Sequence, residues 1–395
     1  MMMSNKSTRL LRISPLALLL SLLSSSSLSS SAVVVLAHNS DALVSRGLRN
    51  LGNTCYMNAQ LECAFHIPLV RDIILGHDDD DDPASGGAKA LQNLFIDMEA
   101  SAASASSRGI PAAAAAAPIT LCRTLGIPVM EQQDSQEFWK LLLPALKIPT
   151  LTDLYQGAYD DYITAVDGSG RERRREEPFL DLSVEVLTHA NILDSISDMF
   201  GTPELLSETK EGNGWRPEKG APKVDALKGS LLRVAGLPSL LQLHLKRFQY
   251  DYQYDTMSKI NSRFAFPAEL DLGEVCAGLT EQEEAGAVYD LQSIVVHIGE
   301  YGAGHYYSYV RPDIREDVWY RFDDDRVTEV SFQDVVKDAY GGRTVGEEKQ
   351  QLAKRGWFRR LFGGGGGSFG WGGPMSSAYM LQYVKRNEIE KLYCE

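Results

Sequence analysis

Apolar positions recur along this chain in two periods, one helical and one extended. In residues 48–65, LRNLGNTCYMNAQLECAF, Met57, Leu61, Ala64 and Phe65 fall at i, i+4, i+7 and i+8, the spacing of one buried helix face. Asn53 and Thr54, both good N-cap types, precede the run, so a helix is expected to begin at about Cys55. Towards the other end, Ile294 to Ile298 is a short apolar run suited to a buried strand, and residues 300–304 read as a glycine-rich turn. Residues 305–311 and 318–322 are rich in aromatic and β-branched side chains and predict two further strands. Two stretches show neither period. Residues 76–118 hold Asp78 to Asp82, a Gly/Ala/Ser tract and a six-alanine run at 112–117, the composition of a solvated loop or flexible insertion. Within them only 97–106 could extend a helix. Residues 341–374 are glycine-rich and contain the basic, aromatic KRGWFRRLF at 354–362. That segment could touch an acidic membrane or a partner, and reads more simply as a solvated loop. No internal repeat is visible.

The N-terminus has its own pattern. Lys6, Arg9 and Arg12 precede the apolar Leu16 to Leu23, then a serine tract and Ala37. A basic region, a short apolar region and a small residue together predict a signal- or transit-like leader over 1–37. Its apolar run is too short and serine-broken for a membrane span. The remaining chain, 38–395, is long enough to bury a large core. A net charge of −14 over 395 residues argues against nucleic acid as the main partner. The five cysteines (55, 63, 122, 276 and 394) show no paired spacing, which points to reduced thiols rather than a disulfide framework.

Chemistry concentrates at two places. A thiol at a helix N-terminus feels the positive end of the helix dipole, which favours the nucleophilic thiolate. Gly52 just before Cys55 lets the backbone come close to a carbonyl group. The alternative is that Cys55 is a small buried apolar residue, as most free cysteines are. At the other end, His305 follows Gly304 at a strand mouth, and Asp323 to Asp325 close the next strand, so a carboxylate could sit beside the imidazole. Thiol, later imidazole and later carboxylate form a constellation in which the base activates the nucleophile and the acid orients the base. The order of the three is that of papain-like enzymes. The other six histidines (38, 66, 77, 189, 244 and 297) are taken as structural.

GLRNLGNTCYMNAQLECAF resembles the Cys box of the ubiquitin-specific proteases, and GHYYSYVRPDIREDVWYRFDDDRVTEV resembles their His box. Between them, QQDSQEF (132–138) resembles the family's QQD motif, and LPSLLQLHLKRFQYD (237–251) its central strand. SSAYMLQYVKR (376–386) is similar to its last core strand. The five blocks stand in the family's order. KINSRFAFPAELDL after the central block looks most like the herpesvirus-associated branch.

This resemblance implies an α+β, papain-like fold with thumb, palm and fingers lobes, spanning residues 38–395 with insertions at 76–118 and 341–374. It implies Cys55 as nucleophile, His305 as general base and Asp323 as the residue orienting the imidazole. Asp324 is a neighbour whose role varies, and three consecutive aspartates leave that choice open. Asn50 matches the side chain that helps form the oxyanion hole. Asp134 and Glu137 match positions in the ubiquitin-binding cleft, and equally read as a capping box at a helix start. Many members hold zinc between two CxxC pairs in the fingers. Residues 155–236 contain no cysteine, so no metal site is expected there and no cofactor is needed. The implied partners are ubiquitin and ubiquitinated proteins, with the chain expected to be a monomer. The expected activity is that of a cysteine isopeptidase acting after ubiquitin's C-terminal glycine. The alternatives are an inactive ubiquitin-binding module and a protease for another ubiquitin-like modifier. Such a substrate implies cytoplasm or nucleus, whereas the leader implies targeting to another compartment.

Overall fold

The structure, a computed structural model, describes residues 43–78, 86–106, 114–252, 255–278, 286–342 and 376–394. The expected leader over 1–37, nearly all of the glycine-rich stretch 341–374 and the basic segment 354–362 lie outside the described residues. Six helices come first: α1 (Cys55–Phe65), α2 (Pro68–Leu75), α3 (Gly86–Ser106), α4 (Ile119–Leu125), α5 (Ser135–Leu146) and α6 (Pro149–Tyr155). Then follow β1 (Gly157–Ala165), β2 (Glu172–Phe179), β3 (Leu182–Val184), α7 (Ile192–Gly201), β4 (Glu204–Leu206), β5 (Ala226–Leu232) and β6 (Leu240–Leu245). The rest comprises β7 (Phe248–Asp251), β8 (Thr256–Lys259), β9 (Glu269–Asp271), β10 (Val288–Glu300), β11 (Ala303–Val310), β12 (Trp319–Asp323), β13 (Arg326–Val330), α8 (Phe332–Ala339), β14 (Ser376–Lys385) and α9 (Ile389–Tyr393). No helix among the described residues is long and apolar enough to cross a membrane.

An eight-stranded sheet in the order β13-β12-β11-β10-β14-β6-β3, with β9 also paired to β10, forms the centre. Its middle strand β10 is longer than the apolar run at 294–298 because both faces are covered. Alternation along β10 divides the interior in two: Val295 packs into one core cluster with the helices, and Ile294 and Val296 into the other. All ten residues of β14 are buried between those layers. A second sheet, β2-β1-β5-β4, has four strands. Its edge strand β2 exposes a run of arginines and glutamates, a composition that discourages pairing with another chain. Leu182 and Val184 of β3 pair in parallel with Leu243 and Leu245 of β6 and enter the second cluster with Phe179, whereas Leu180 packs against the first.

Helix α1 starts where the N-cap residues place it, with Thr54 at the cap, although no side chain caps its N–H groups. The periodicity implied one buried face. Instead all eleven residues are buried, since α1 packs against β11, β10, β12, α2 and α5. Its polar side chains are matched rather than solvated: Gln60 donates to the Ser135 carbonyl at 3.4 Å, and Glu62 accepts from Ser45 Oγ at 2.6 Å.

The expected insertion at 76–118 is corrected by α3. Leu91, Leu94, Phe95, Met98 and Ala102 are buried along one face, and Phe65 meets Phe95 edge-on at 5.2 Å between ring centres. Alanine is the strongest helix former. The same Ala/Ser richness that reads as low complexity therefore carries a helix with a regular apolar stripe. Residues 79–85 and 107–113 fall outside the described residues. Because Phe95 is fully buried, Phe95→Ala should lower the unfolding free energy by about 3–5 kcal/mol. A urea titration that shows no change would mean this helix is peripheral after all.

Candidate active site

Two adjacent strands bring His305 and Asp323 together. β11 pairs antiparallel with β12, Tyr309 opposite Arg321 and Ser308 opposite Phe322. Opposite residues share a face and alternate residues return to it. This register therefore groups His305, Tyr307 and Tyr309 with Arg321 and Asp323. His305 Nε2 lies 2.6 Å from Asp323 Oδ1. With that nitrogen committed to the carboxylate, Nδ1 is the one left for the thiol. The other carboxylate oxygen, Asp323 Oδ2, accepts from Arg321 at 2.9 Å.

The hairpin then turns. Asp323 pairs with Arg326, so Asp324 and Asp325 form the connection, and Asp324 adopts a left-handed φ of +54°. Its carboxylate oxygens are taken by two amides rather than by the imidazole, accepting from Asn50 Nδ2 at 2.9 Å and Asn58 Nδ2 at 2.8 Å. Its carbonyl accepts from Leu48 N at 3.0 Å. Gly47 allows this approach: a Cβ there would lie 2.1 Å from the Asp324 carbonyl oxygen. The sequence left Asp323 and Asp324 as competing partners for the ring. In the structure they take different ones.

Asn50 organises the loop into the nucleophile. Its Oδ1 accepts from Gly52 N at 3.0 Å, Thr54 N at 3.1 Å and Thr54 Oγ1 at 3.3 Å. Gly52 has φ +142°, and a Cβ there would meet Met130 Sδ and the Val129 carbonyl, both at 2.8 Å. The close approach this glycine permits is therefore to the loop before α5, not only to a substrate carbonyl. Asn53 extends that contact through its N–H to the Val129 carbonyl at 2.7 Å and its Nδ2 to the Met130 carbonyl at 2.6 Å. The same loop reaches the base strand, because Gln132 Nε2 donates to the Gly304 carbonyl at 2.8 Å and its Oε1 accepts from Gly304 N at 3.1 Å. One loop thus ties the residues before Cys55 to the residue before His305. Asn58 and Arg321 were not singled out from the sequence, and Gln132 was read only as part of the QQDSQEF block, without this contact. Asn58, one helical turn after Cys55, was the most visible of them.

Asp134 caps α5, its Oδ1 accepting from Gln136 N and Glu137 N at 2.8 and 3.1 Å, and its other oxygen accepts from the Tyr379 hydroxyl. The capping half of its dual reading is what the geometry contains, while Glu137 on the next turn is exposed.

Electrostatics separate His305 from the buried imidazoles of His66 and His297. The hydrogen bond to Asp323, followed by that to Cys55, raises the His305 pKa to about 10 against the opposing effect of burial. The same bond to His305 holds Asp323 below the usual carboxylate range. Burial instead lowers His66 and His297 to about 3, so both rings stay neutral. Burial also raises Cys63 to about 12 and Cys276 to about 11, leaving these thiols protonated and inert. All five cysteines are free. Among the described residues, His305, Asp323 and Asp324 have ligand-type atoms within 4.8 Å of one another. Their carboxylate oxygens are already engaged by His305, Arg321, Asn50 and Asn58, a donor set that serves a hydrogen-bonded triad better than a metal.

Comparison with known proteins gives one family. The model of the family described as ubiquitin carboxyl-terminal hydrolase matches residues 46–383. Ubiquitin C-terminal hydrolase 12 of Arabidopsis thaliana is 30% identical over 372 residues, covering 88% of this chain and 30% of the relative. Ubiquitin carboxyl-terminal hydrolase 15 of Schizosaccharomyces pombe is 31% identical over 361 residues, covering 88% and 28%. The chain thus spans less than a third of the length of these curated relatives.

A charged His305 is the testable consequence of this geometry. Its folded pKa lies above the unfolded value near 6.5, so its stabilising effect is complete below about pH 6.5 and is lost as the pH rises through about 10. In an NMR titration of ring-labelled histidine, His305 should stay protonated well above pH 7. Asp323→Asn should shift it down by roughly 1–3 pH units, whereas Asp324→Asn should leave it almost unmoved. Equal shifts in the two variants would contradict the separate roles of these aspartates.

Proposed function

The chain belongs to the ubiquitin carboxyl-terminal hydrolase family, and from that premise we propose that it is a cysteine isopeptidase removing ubiquitin from protein conjugates. The observation that carries this reading is the hydrogen-bonded pair of His305 and Asp323 on paired strands against which the buried helix beginning at Cys55 packs. The Cys55 thiolate attacks the carbonyl carbon of ubiquitin's terminal glycine. His305 gives its proton to the lysine nitrogen as the C–N bond breaks, leaving an acyl thioester. Water, losing its proton to His305, then attacks the thioester and returns Cys55.

Asn50 is the candidate oxyanion donor, with a qualification supplied by its partners. Its Nδ2 carries two hydrogens. One goes to Asp324, which aims the amide, and the second is left for the developing oxyanion. Loss of such a donor costs roughly 3–4 kcal/mol of transition-state stabilisation.

We assign the helices α1–α6 to the thumb, the eight-stranded sheet to the palm and the four-stranded sheet to the fingers. The concave surface lined by Lys140, Tyr159, Phe179, Asp181, Met199 and Phe200 lies between helix α5 and the four-stranded sheet and suits the globular body of ubiquitin. Exposed Glu137 is the more available of the two acidic candidates for the arginines of ubiquitin's tail, since Asp134 is occupied by its cap and Tyr379. The 237–251 block with KINSRFAFPAELDL after it supports placement near the herpesvirus-associated branch.

Cys55 supplies the chemistry and little of the contact area. Cys55→Ala should therefore abolish hydrolysis of a ubiquitin fluorogenic substrate while ubiquitin binding stays measurable by calorimetry. Cys63, Cys122, Cys276 and Cys394 changed singly to Ser should keep most of the rate, apart from any folding cost. Hydrolysis by Cys55→Ala at the parental rate would sink the mechanism.

A further inference from the structure

Asp323 is held from two sides, and only one of them is the imidazole. Its side chain is short, but the final Cβ–Cγ torsion is broad and roughly two-fold. A single hydrogen bond to a ring leaves the carboxylate plane loosely set. Arg321 Nη2 closes the second oxygen at 2.9 Å with a charge-assisted bond. The guanidinium is in turn fixed by its position 4.1 Å from the centre of the Tyr307 ring. The Tyr307 hydroxyl donates to Asp338 of α8. Asp338 also accepts from Tyr309 at 2.8 Å and from Ser376 of β14 at 2.6 Å. A continuous chain of contacts therefore runs from α8 and β14 through Tyr307 and Arg321 to the catalytic carboxylate.

We propose that Arg321 is a positioning residue, fixing the plane of the Asp323 carboxylate and through it the orientation of His305. This deepens the isopeptidase reading and rests on it. Packing alone does not account for the residue: Arg321 Nε is buried with no hydrogen-bond partner among the described residues. A side chain retained for stability would be expected to satisfy that donor. The positive charge also helps hold Asp323 below the usual carboxylate range, behind the larger contribution of His305. Lysine at this position would keep the charge and lose the planar fork. The two features can therefore be separated.

Arg321→Ala and Arg321→Lys are compared with the parental chain in two assays: steady-state hydrolysis of a ubiquitin fluorogenic substrate, and the downfield proton NMR signal of the His305 Nε2–H hydrogen-bonded to Asp323. The alanine variant should lose kcat by roughly tenfold, as expected for a misplaced catalytic group, with KM unchanged and the downfield signal broadened or lost. The lysine variant should recover most of both. Retention of kcat and of the signal in the alanine variant would overturn the proposal. So would equal kcat losses in both variants accompanied by equal drops in melting temperature, which would make Arg321 merely structural. If the parental chain hydrolyses nothing, the isopeptidase reading fails, and the NMR signal alone still decides the role of Arg321.

Discussion

The site depends on a two-residue turn that gives consecutive carboxylates different partners. At the end of β12, Asp323 continues the strand and stays on the face of His305, while Asp324 takes a left-handed conformation and turns to Asn50 and Asn58. The first contact sets the base. The second, with Leu48 N on the Asp324 carbonyl, fastens the nucleophile's loop and helix to the same turn. Aspartate tolerates positive φ better than most residues and can satisfy two amide donors at once. Asp324 meets both requirements. Segments from opposite ends of the chain thus share one short reference element.

Burial of α1 makes that reference rigid. Helix position is usually set by one apolar face, leaving the other free to adjust. Here the helix is enclosed, and Asn58 Nδ2, Gln60 Nε2 and one Glu62 carboxylate oxygen are hydrogen-bonded to Asp324, Ser135 and Ser45. A shift of the helix would break several hydrogen bonds in a low-dielectric interior, where an unmatched polar group is costly. The loop from Val129 to Gln132 adds a brace from outside, joining Asn53 to Gly304. Cys55 and His305 are held by contacts with different parts of the core, so their separation is a property of the fold rather than of either side chain.

The sequence carried the helix start at Cys55, the strands on either side of His305 and the candidate triad, because these rest on local periodicity and on residue types with few alternative uses. It did not separate Asp323 from Asp324. Identical side chains differ there only in the sign of a backbone angle, which no periodicity encodes. It misread the 76–118 stretch, since alanine and serine dilute the apolar stripe of α3 below what composition alone reveals. Arg321 was silent because its ring partner, Tyr307, lies across a strand pair, and Gln132, although inside the QQDSQEF block, gave no sign of its contact with Gly304. Such contacts become legible only once strand register is known.

The central claim is that Cys55 is a nucleophile aligned to receive the C-terminal glycine of ubiquitin. Ubiquitin carrying a C-terminal electrophile tests this directly, because capture requires both recognition of ubiquitin and a reactive thiol in the correct place. A single covalent adduct is expected, mapping to Cys55 in the peptide mass spectrum and disappearing in His305→Ala. No adduct, or an adduct on exposed Cys394, would contradict it.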